Sequence, residues 1–138
     1  MPTAETLERF IALVEAGAHV QAVEEFYTPD STMQENQNAP RRGREAHAAS
    51  ERKVMARAGS VTSQCVRPVL LNGDHVVIRW IFHFEWHDAT QTHMEELAWQ
   101  RWEGERIAQE ICFYDRLNAL PRRFDRRLPR ILSRLADP

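Results

Sequence analysis

The stretch Gly104-Glu105-Arg106-Ile107-Ala108-Gln109-Glu110-Ile111-Cys112-Phe113-Tyr114-Asp115 decides how the rest of the chain is read. It opens at a glycine turn and continues as an alternating segment, the pattern of a strand whose two faces meet different surroundings. Glu110 is a lone carboxylate among apolar and aromatic neighbours. Alternation puts Glu110, Cys112 and Tyr114 on one face and Ile111 and Phe113 on the other. The stretch is expected to be the last strand of a curved sheet wrapped around a pocket.

Working back from it, residues 103–105 read as a three-residue turn and residues 91–102 as the preceding strand. Residues 87–90 are a second turn, and residues 74–86 another strand. Asn72-Gly73 is a strong hairpin signal that links this strand to residues 61–71. Four alternating strands in succession make a meander.

Upstream of residue 60 the period changes to helical. Leu7, Phe10, Ile11 and Val14 recur at helical spacing, with Thr3 as N-cap and Gly17 as stop. A short second helix carries Val20, Val23 and Phe26. Thr28-Pro29-Asp30 is expected to end it in a turn, because proline cannot continue a helix. Residues 31–35 lean towards β, residues 36–43 form a polar loop, and residues 44–58 form a third helix with Ala48, Val54, Met55 and Ala58 on its apolar side. Helices first and long antiparallel strands afterwards define an α+β fold, with the helices packed on one sheet face.

The expected division is a domain over residues 1–116 and an arginine-rich amphipathic tail over residues 117–138. In the tail, Leu117, Leu120, Phe124, Leu128, Ile131, Leu132 and Leu135 make one stripe, and Arg122, Arg123, Arg126, Arg127, Arg130 and Arg134 cover the other side. Its expected role is a C-terminal helix docked on its own sheet or a partner's.

Composition narrows the class. A length of 138 residues suits one domain with a real core, and 43% hydrophobic residues argue against wholesale disorder. A net charge of -2 exerts no overall pull on nucleic acid or anionic membrane. Cys65 and Cys112 are too few and too far apart for a disulfide framework or a metal knuckle. The N-terminal residues lack a signal-peptide pattern, and no apolar run approaches the roughly 20 residues that span a bilayer. The expectation is a soluble cytoplasmic protein without nucleic-acid or membrane partners.

The turn at residues 87–90 can be put in register by setting Glu85 opposite His93, His83 opposite Glu95, Ile81 opposite Leu97 and Arg79 opposite Trp99. That face meets water or another subunit. The opposite face carries Ile78, Trp80, Phe82 and Phe84 against Gln100, Ala98, Glu96 and Met94, joined by Glu110, Cys112 and Tyr114. Apolar walls around a few polar groups are what a small-molecule pocket needs. Burial would raise a carboxylate's pKa and make it a usable acid or base near neutral pH. The set His83, Glu85, His93 and Glu95 reads as solvated pairing rather than a metal site, and His19, His47 and His75 as surface or capping residues.

Taken together, Phe26-Tyr27-Thr28-Pro29-Asp30-Ser31-Thr32, the loop, Arg42-Gly43-Arg44-Glu45-Ala46, Glu103-Gly104-Glu105-Arg106-Ile107 and Phe113-Tyr114-Asp115 resemble the SnoaL-like domains of the nuclear transport factor 2-like superfamily. The resemblance covers roughly residues 4–116. It implies a cone formed by a curved mixed or antiparallel sheet around a helix, a cavity between them, and a homodimer through the outer sheet face. Ketosteroid isomerases of that superfamily keep a base where Glu35 stands, but their two oxyanion donors match Phe10 and Ala98. The Arg and two Asp of limonene-epoxide hydrolases match Trp80, Phe82 and Cys112, and the polyketide cyclases' aspartate falls near Cys112. The pocket is retained while each of those active sites is absent.

The functional expectation is a cofactor-independent enzyme of isomerase or cyclase type. Glu35 or Glu110 would act as general base on a small apolar, cyclic molecule. The expected binding set is Phe10, Tyr27, Met33, Trp80, Phe82, Phe84, Glu96, Gln100, Cys112 and Tyr114, with no metal. Two alternatives stand beside it, a non-catalytic binding domain on the same cone and a dimeric association module.

Overall fold

The computed structural model describes residues 1–115; the expected tail and its helix lie outside the described residues. The element order is α1 (Ala4–Glu15), α2 (His19–Phe26), β1 (Tyr27–Glu35), β2 (Arg41–Arg42), α3 (Arg44–Arg57), β3 (Ala58–Asn72), β4 (His75–Trp86), β5 (Gln91–Glu103) and β6 (Arg106–Tyr114). They form the expected α+β arrangement of helices against one curved sheet, in the strand order β2-β1-β6-β5-β4-β3. β1 and β6 run parallel, and every other neighbouring pair is antiparallel.

Local chemistry explains the helices. The Thr3 hydroxyl accepts from the Thr6 N–H and caps α1, whose buried face is Leu7, Phe10, Ile11 and Val14. Gly17 follows with a φ of 79°, the left-handed turn that ends a helix without steric cost. Those residues join Ala22, Val23 and Phe26 of α2 and Ile78, Trp80, Phe82, Ala98 and Trp102 of the sheet in one core. Phe10 is its hinge, meeting Phe26, Tyr27 and Trp102 edge to face at 5.6–6.4 Å.

Four local expectations are corrected. Pro29 and Asp30 do not end in a turn. β1 runs straight through them from Tyr27, and its pairing with β6 is irregular between Tyr27 and Thr32, where proline's missing donor is tolerated. The β4–β5 register is two residues away from the expected one, with His83 facing His93, Glu85 facing Gln91 and Trp80 facing Glu96. The Trp86 N–H donates to the Thr90 carbonyl at 2.9 Å and centres the turn on Asp88, one residue earlier than the expected pairing implies. A shift of two keeps every side chain on its face, so the inner and outer assignments hold. The solvated pairing changes: Glu95 bridges to Arg79 at 3.3 Å instead of to His83.

The β5–β6 turn is also shorter than three residues, since Glu103 pairs with Arg106. Ala108 is then left over between the pairs Trp102–Ile107 and Arg101–Gln109, a bulge that restores the inward aim of Glu110.

His47 is the fourth correction. It is fully buried rather than on the surface. Its Nε2–H donates to the Ser31 carbonyl at 3.0 Å and its Nδ1 accepts from Arg41 Nε at 3.2 Å. A neutral imidazole thus ties α3 to both strands of the β1–β2 edge. No described helix is long and apolar enough to cross a membrane.

Candidate functional site

The concave face of the sheet and the helices enclose a cavity of about 230 Å³. β4 supplies one wall as a run of rings, with Trp80 stacked on Phe82 at 5.7 Å and Phe84 on Trp86 at 4.8 Å. Period-2 alternation is the reason: even-numbered residues of β4 and β5 face inward, so Trp80, Phe82, Phe84, Trp86, Thr92, Met94 and Glu96 line one space. α1 and α2 close it with Phe10, Val14, His19 and Val23. β1 and β6 contribute Tyr27, Met33, Glu35, Glu110, Cys112 and Tyr114.

Glu110 is held by three donors. Tyr27 donates its hydroxyl to Oε1 at 2.8 Å, and the Cys112 thiol reaches the same oxygen at 3.5 Å. Gln100 Nε2 donates to Oε2 at 2.6 Å, while Gln100 Oε1 accepts from Trp102 Nε1 at 3.0 Å. Burial pushes the Glu110 carboxyl above its ordinary value, and these hydrogen bonds, which favour the anion, oppose that rise. Burial and the adjacent Glu110 charge drive the Tyr27 phenol well above its usual range, so it stays a donor. The Cys112 thiol is pushed up by the same two causes and is no thiolate nucleophile.

Glu96 stands farther along β5 on the same inner face. It keeps some accessible surface because it lines the cavity. Burial, and next the charge of Glu110, push its carboxyl up to about 8. It therefore carries its proton at neutral pH and can donate. Tyr114, paired with Glu96 across β5–β6, is pushed up to about 12 by burial and by the Glu35 carboxylate. Glu35 itself is exposed at the cavity's rim.

Of the expected site residues, all but one border the cavity. Gln100 is the exception: it is wholly buried behind Glu110, between that carboxylate and the Trp102 indole, and lines no open space. Sequence reasoning placed Met94 on the inner face without naming it as a binding residue, and missed His19, Glu51, Trp86 and Thr92 as wall residues. Trp86, Thr92 and Met94 have the inward parity of their strands, and Glu51 lies at helical spacing from Ala48 and Val54. His19 had no such signal. It is mostly buried rather than at the surface, its Nε2 2.8 Å from Ser63 Oγ and its ring edge-on to Phe82 at 5.6 Å. Among the described residues, no group of three or more His, Cys, Asp or Glu is placed to hold a metal ion.

A helix-filled, six-stranded curved sheet with a cavity between the two layers is the architecture of the nuclear transport factor 2-like proteins. The model of the SnoaL-like domain matches residues 7–110, and the chain belongs to that family. Among curated proteins none matches it.

Three solved structures show the fold at low sequence identity. A Catenulispora acidiphila protein with a ketosteroid isomerase-like fold, in complex with trimethylamine, is 21% identical. It aligns over 86% of this chain and 91% of its own, with a TM-score of 0.71. An epoxide hydrolase of M. tuberculosis, similar to the limonene-epoxide hydrolases, is 14% identical over 83% of this chain and 84% of its own, with a TM-score of 0.68. A Mesorhizobium loti protein assigned to the SnoaL-like polyketide cyclases is 19% identical over 80% and 97%, with a TM-score of 0.67.

Proposed function

We propose that this chain is a cofactor-independent proton-transfer enzyme of isomerase or cyclase type, acting on a compact, apolar, cyclic carbonyl compound. The observation that carries this reading is a pair of carboxyls in unlike environments facing one apolar cavity. Glu110 is braced by three donors as an acceptor, and Glu96 is held in its acid form at neutral pH. Unlike environments of this kind separate the base from the acid.

In the proposed step Glu110 takes a proton from the carbon next to the carbonyl, and Glu96 hydrogen-bonds or protonates the oxygen as it gains charge. Return of the proton to a different carbon completes an isomerisation; attack of the enolate carbon on a second carbonyl completes a cyclisation. Tyr27 and Gln100 are spent on Glu110, so Glu96 supplies the oxyanion donor that Phe10 and Ala98 lack. Glu35, exposed at the cavity's rim, is not assigned the proton transfer.

The cavity lies a little below the roughly 300–1,000 Å³ of drug-sized sites, which favours a ligand of few rings. The trimethylamine complex of the Catenulispora relative is consistent with a small occupant. The test is α-proton exchange of cyclohexanone and 2-cyclohexen-1-one in D₂O, followed by NMR. Glu110→Gln is expected to slow enzymatic exchange by about 10²–10⁴-fold. Equal exchange in wild type, Glu110→Gln and Glu96→Gln would overturn the proposal.

A second reading is a non-catalytic binding domain, favoured by the continuous ring wall from Trp80 to Trp86. Saturable binding of these ketones without exchange selects it. In either case the outer sheet face, with Leu97, Trp99 and Phe113 exposed, is proposed as a homodimer contact.

A further inference from the structure

We infer that Oε2 of Glu110 is the atom that accepts the proton, and that Trp102, which does not border the cavity, is a positioning residue that keeps it ready through Gln100. The donors and acceptors around the carboxylate single out this oxygen. A carboxylate offers about four lone-pair sites, two on each oxygen. On Oε1 both are taken, one by the Tyr27 hydroxyl and one by the Cys112 thiol. On Oε2 one is taken by Gln100 Nε2, which leaves one among the described residues.

The direction of the Gln100 bond is imposed from behind. An indole N–H can only donate. Trp102 Nε1 lies 3.0 Å from one end of the Gln100 amide, so that end is the carbonyl. The other end is then the NH₂ group, and it can only donate to Glu110. Reversing the amide would set an N–H against the indole N–H and a carbonyl against a carboxylate. The indole is fully buried and does not border the cavity, so water cannot rescue its clash. Trp102 is itself held edge-on to Phe10 at 6.0 Å, with its backbone N–H on the Asp74 carbonyl.

The consequence is a base whose anionic form is favoured by a residue two steps away. Burial favours the protonated form of Glu110. The Trp102–Gln100 relay opposes this at the same oxygen that is left free for a substrate's proton.

This inference rests on Glu110 being the proposed base, but its test needs no turnover. ¹³C-glutamate NMR of the unliganded protein, with Glu110→Gln to assign the resonance, follows the titration of Glu110. Trp102→Phe removes the donor while keeping a ring, and Gln100→Leu removes the relay. Each is expected to raise the Glu110 midpoint by about one pH unit or more, the worth of one charge-assisted hydrogen bond. Gln100→Glu offers a second acceptor in place of the donor and is expected to raise it further. An unchanged midpoint in folded Gln100→Leu overturns the relay. A shift in Gln100→Leu with none in Trp102→Phe removes Trp102 from it. If Trp102→Phe does not fold, Trp102→His restores a ring N–H donor option, and a midpoint there equal to that of Gln100→Leu counts against the role. Absent ketone exchange with these shifts intact would sink the proposed reaction alone.

Discussion

Glu110 stands directly across from Gln100 on the inner face, and it does so because Ala108 adds one unpaired residue to β6. With the two-residue turn at Gly104 and Glu105 and no bulge, Glu110 would instead pair with Trp99, whose side chain points outward. The site therefore depends on a backbone irregularity two residues before its central carboxylate.

Deleting Ala108 removes only the unpaired residue: Ile107 stays opposite Trp102, Gln109 opposite Arg101 and Glu110 opposite Gln100, so every side chain of β6 keeps its face. Inserting one residue after Ala108 leaves a second residue to accommodate, and regular pairing from there would turn Glu110 and Cys112 outward. The deletion is expected to cost no more than the roughly 0.5–3 kcal/mol of an ordinary substitution, and the insertion more than about 4 kcal/mol. Urea unfolding of both variants is the measurement; a deletion that costs as much as the insertion would contradict the reading of Ala108 as the extra residue.

Glu96 makes stability fall as pH rises. Its folded value, about 8, lies above the ordinary 4.5, so its contribution is whole below pH 4.5 and is lost as pH climbs through 8. Glu110 is also raised and works in the same direction. Glu96→Gln, neutral at every pH, is expected to flatten this slope. After discounting for the surface that Glu96 shows to the cavity, the gain over wild type at pH 9 relative to pH 5 is roughly 2 kcal/mol. Parallel curves of melting temperature against pH in the two proteins would contradict the assignment.

His47 acts with the opposite sign. Burial, the larger cause, lowers its pKa below 6.5 although the Ser31 carbonyl favours its protonated form. Its contribution is present above pH 6.5 and is lost as pH falls through the lowered folded value. His47→Leu leaves the Ser31 carbonyl its bond from Gly43 but strips Arg41 of a partner. The expected cost at pH 7.5 is about 2–4 kcal/mol, shrinking on acidification. Calorimetry at pH 5 and pH 7.5 reads the difference between the two proteins.

The outer face carries Leu97, Trp99 and Phe113 at 47%, 46% and 48% exposure, spread over β5 and β6. If this is a dimer contact, Trp99→Glu should convert the protein to a monomer, with at most a small change in α-proton exchange, since Trp99 points away from the cavity. Light scattering on a sizing column distinguishes the two states. Equal masses for wild type and variant would move the contact elsewhere.

The elements were legible wherever local chemistry is decisive. Thr3 capped α1 because a hydroxyl before an apolar period satisfies free helix N–H groups. The hairpin forms one residue beyond the Asn72-Gly73 signal, at Gly73 and Asp74, because Gly73 takes a φ of 59° at no steric cost. The aromatic wall was legible from parity alone, since a strand's faces alternate regardless of which residue it pairs with. The proline turn failed because β1 gains pairing with β6, a partner about eighty residues on, which outweighs the local preference.

Sequence alone thus determined which strand residues share a face, and so much of the sheet side of the cavity wall. Tertiary structure alone decided how those faces are used. A pairing shift of two leaves alternation untouched, so the β4–β5 register was invisible to it. The Ala108 bulge, the burial of His19 and His47, and the Trp102–Gln100–Glu110 chain all arise from contacts between elements. A buried donor must find an acceptor wherever the fold brings one, and that search is settled in space rather than along the chain.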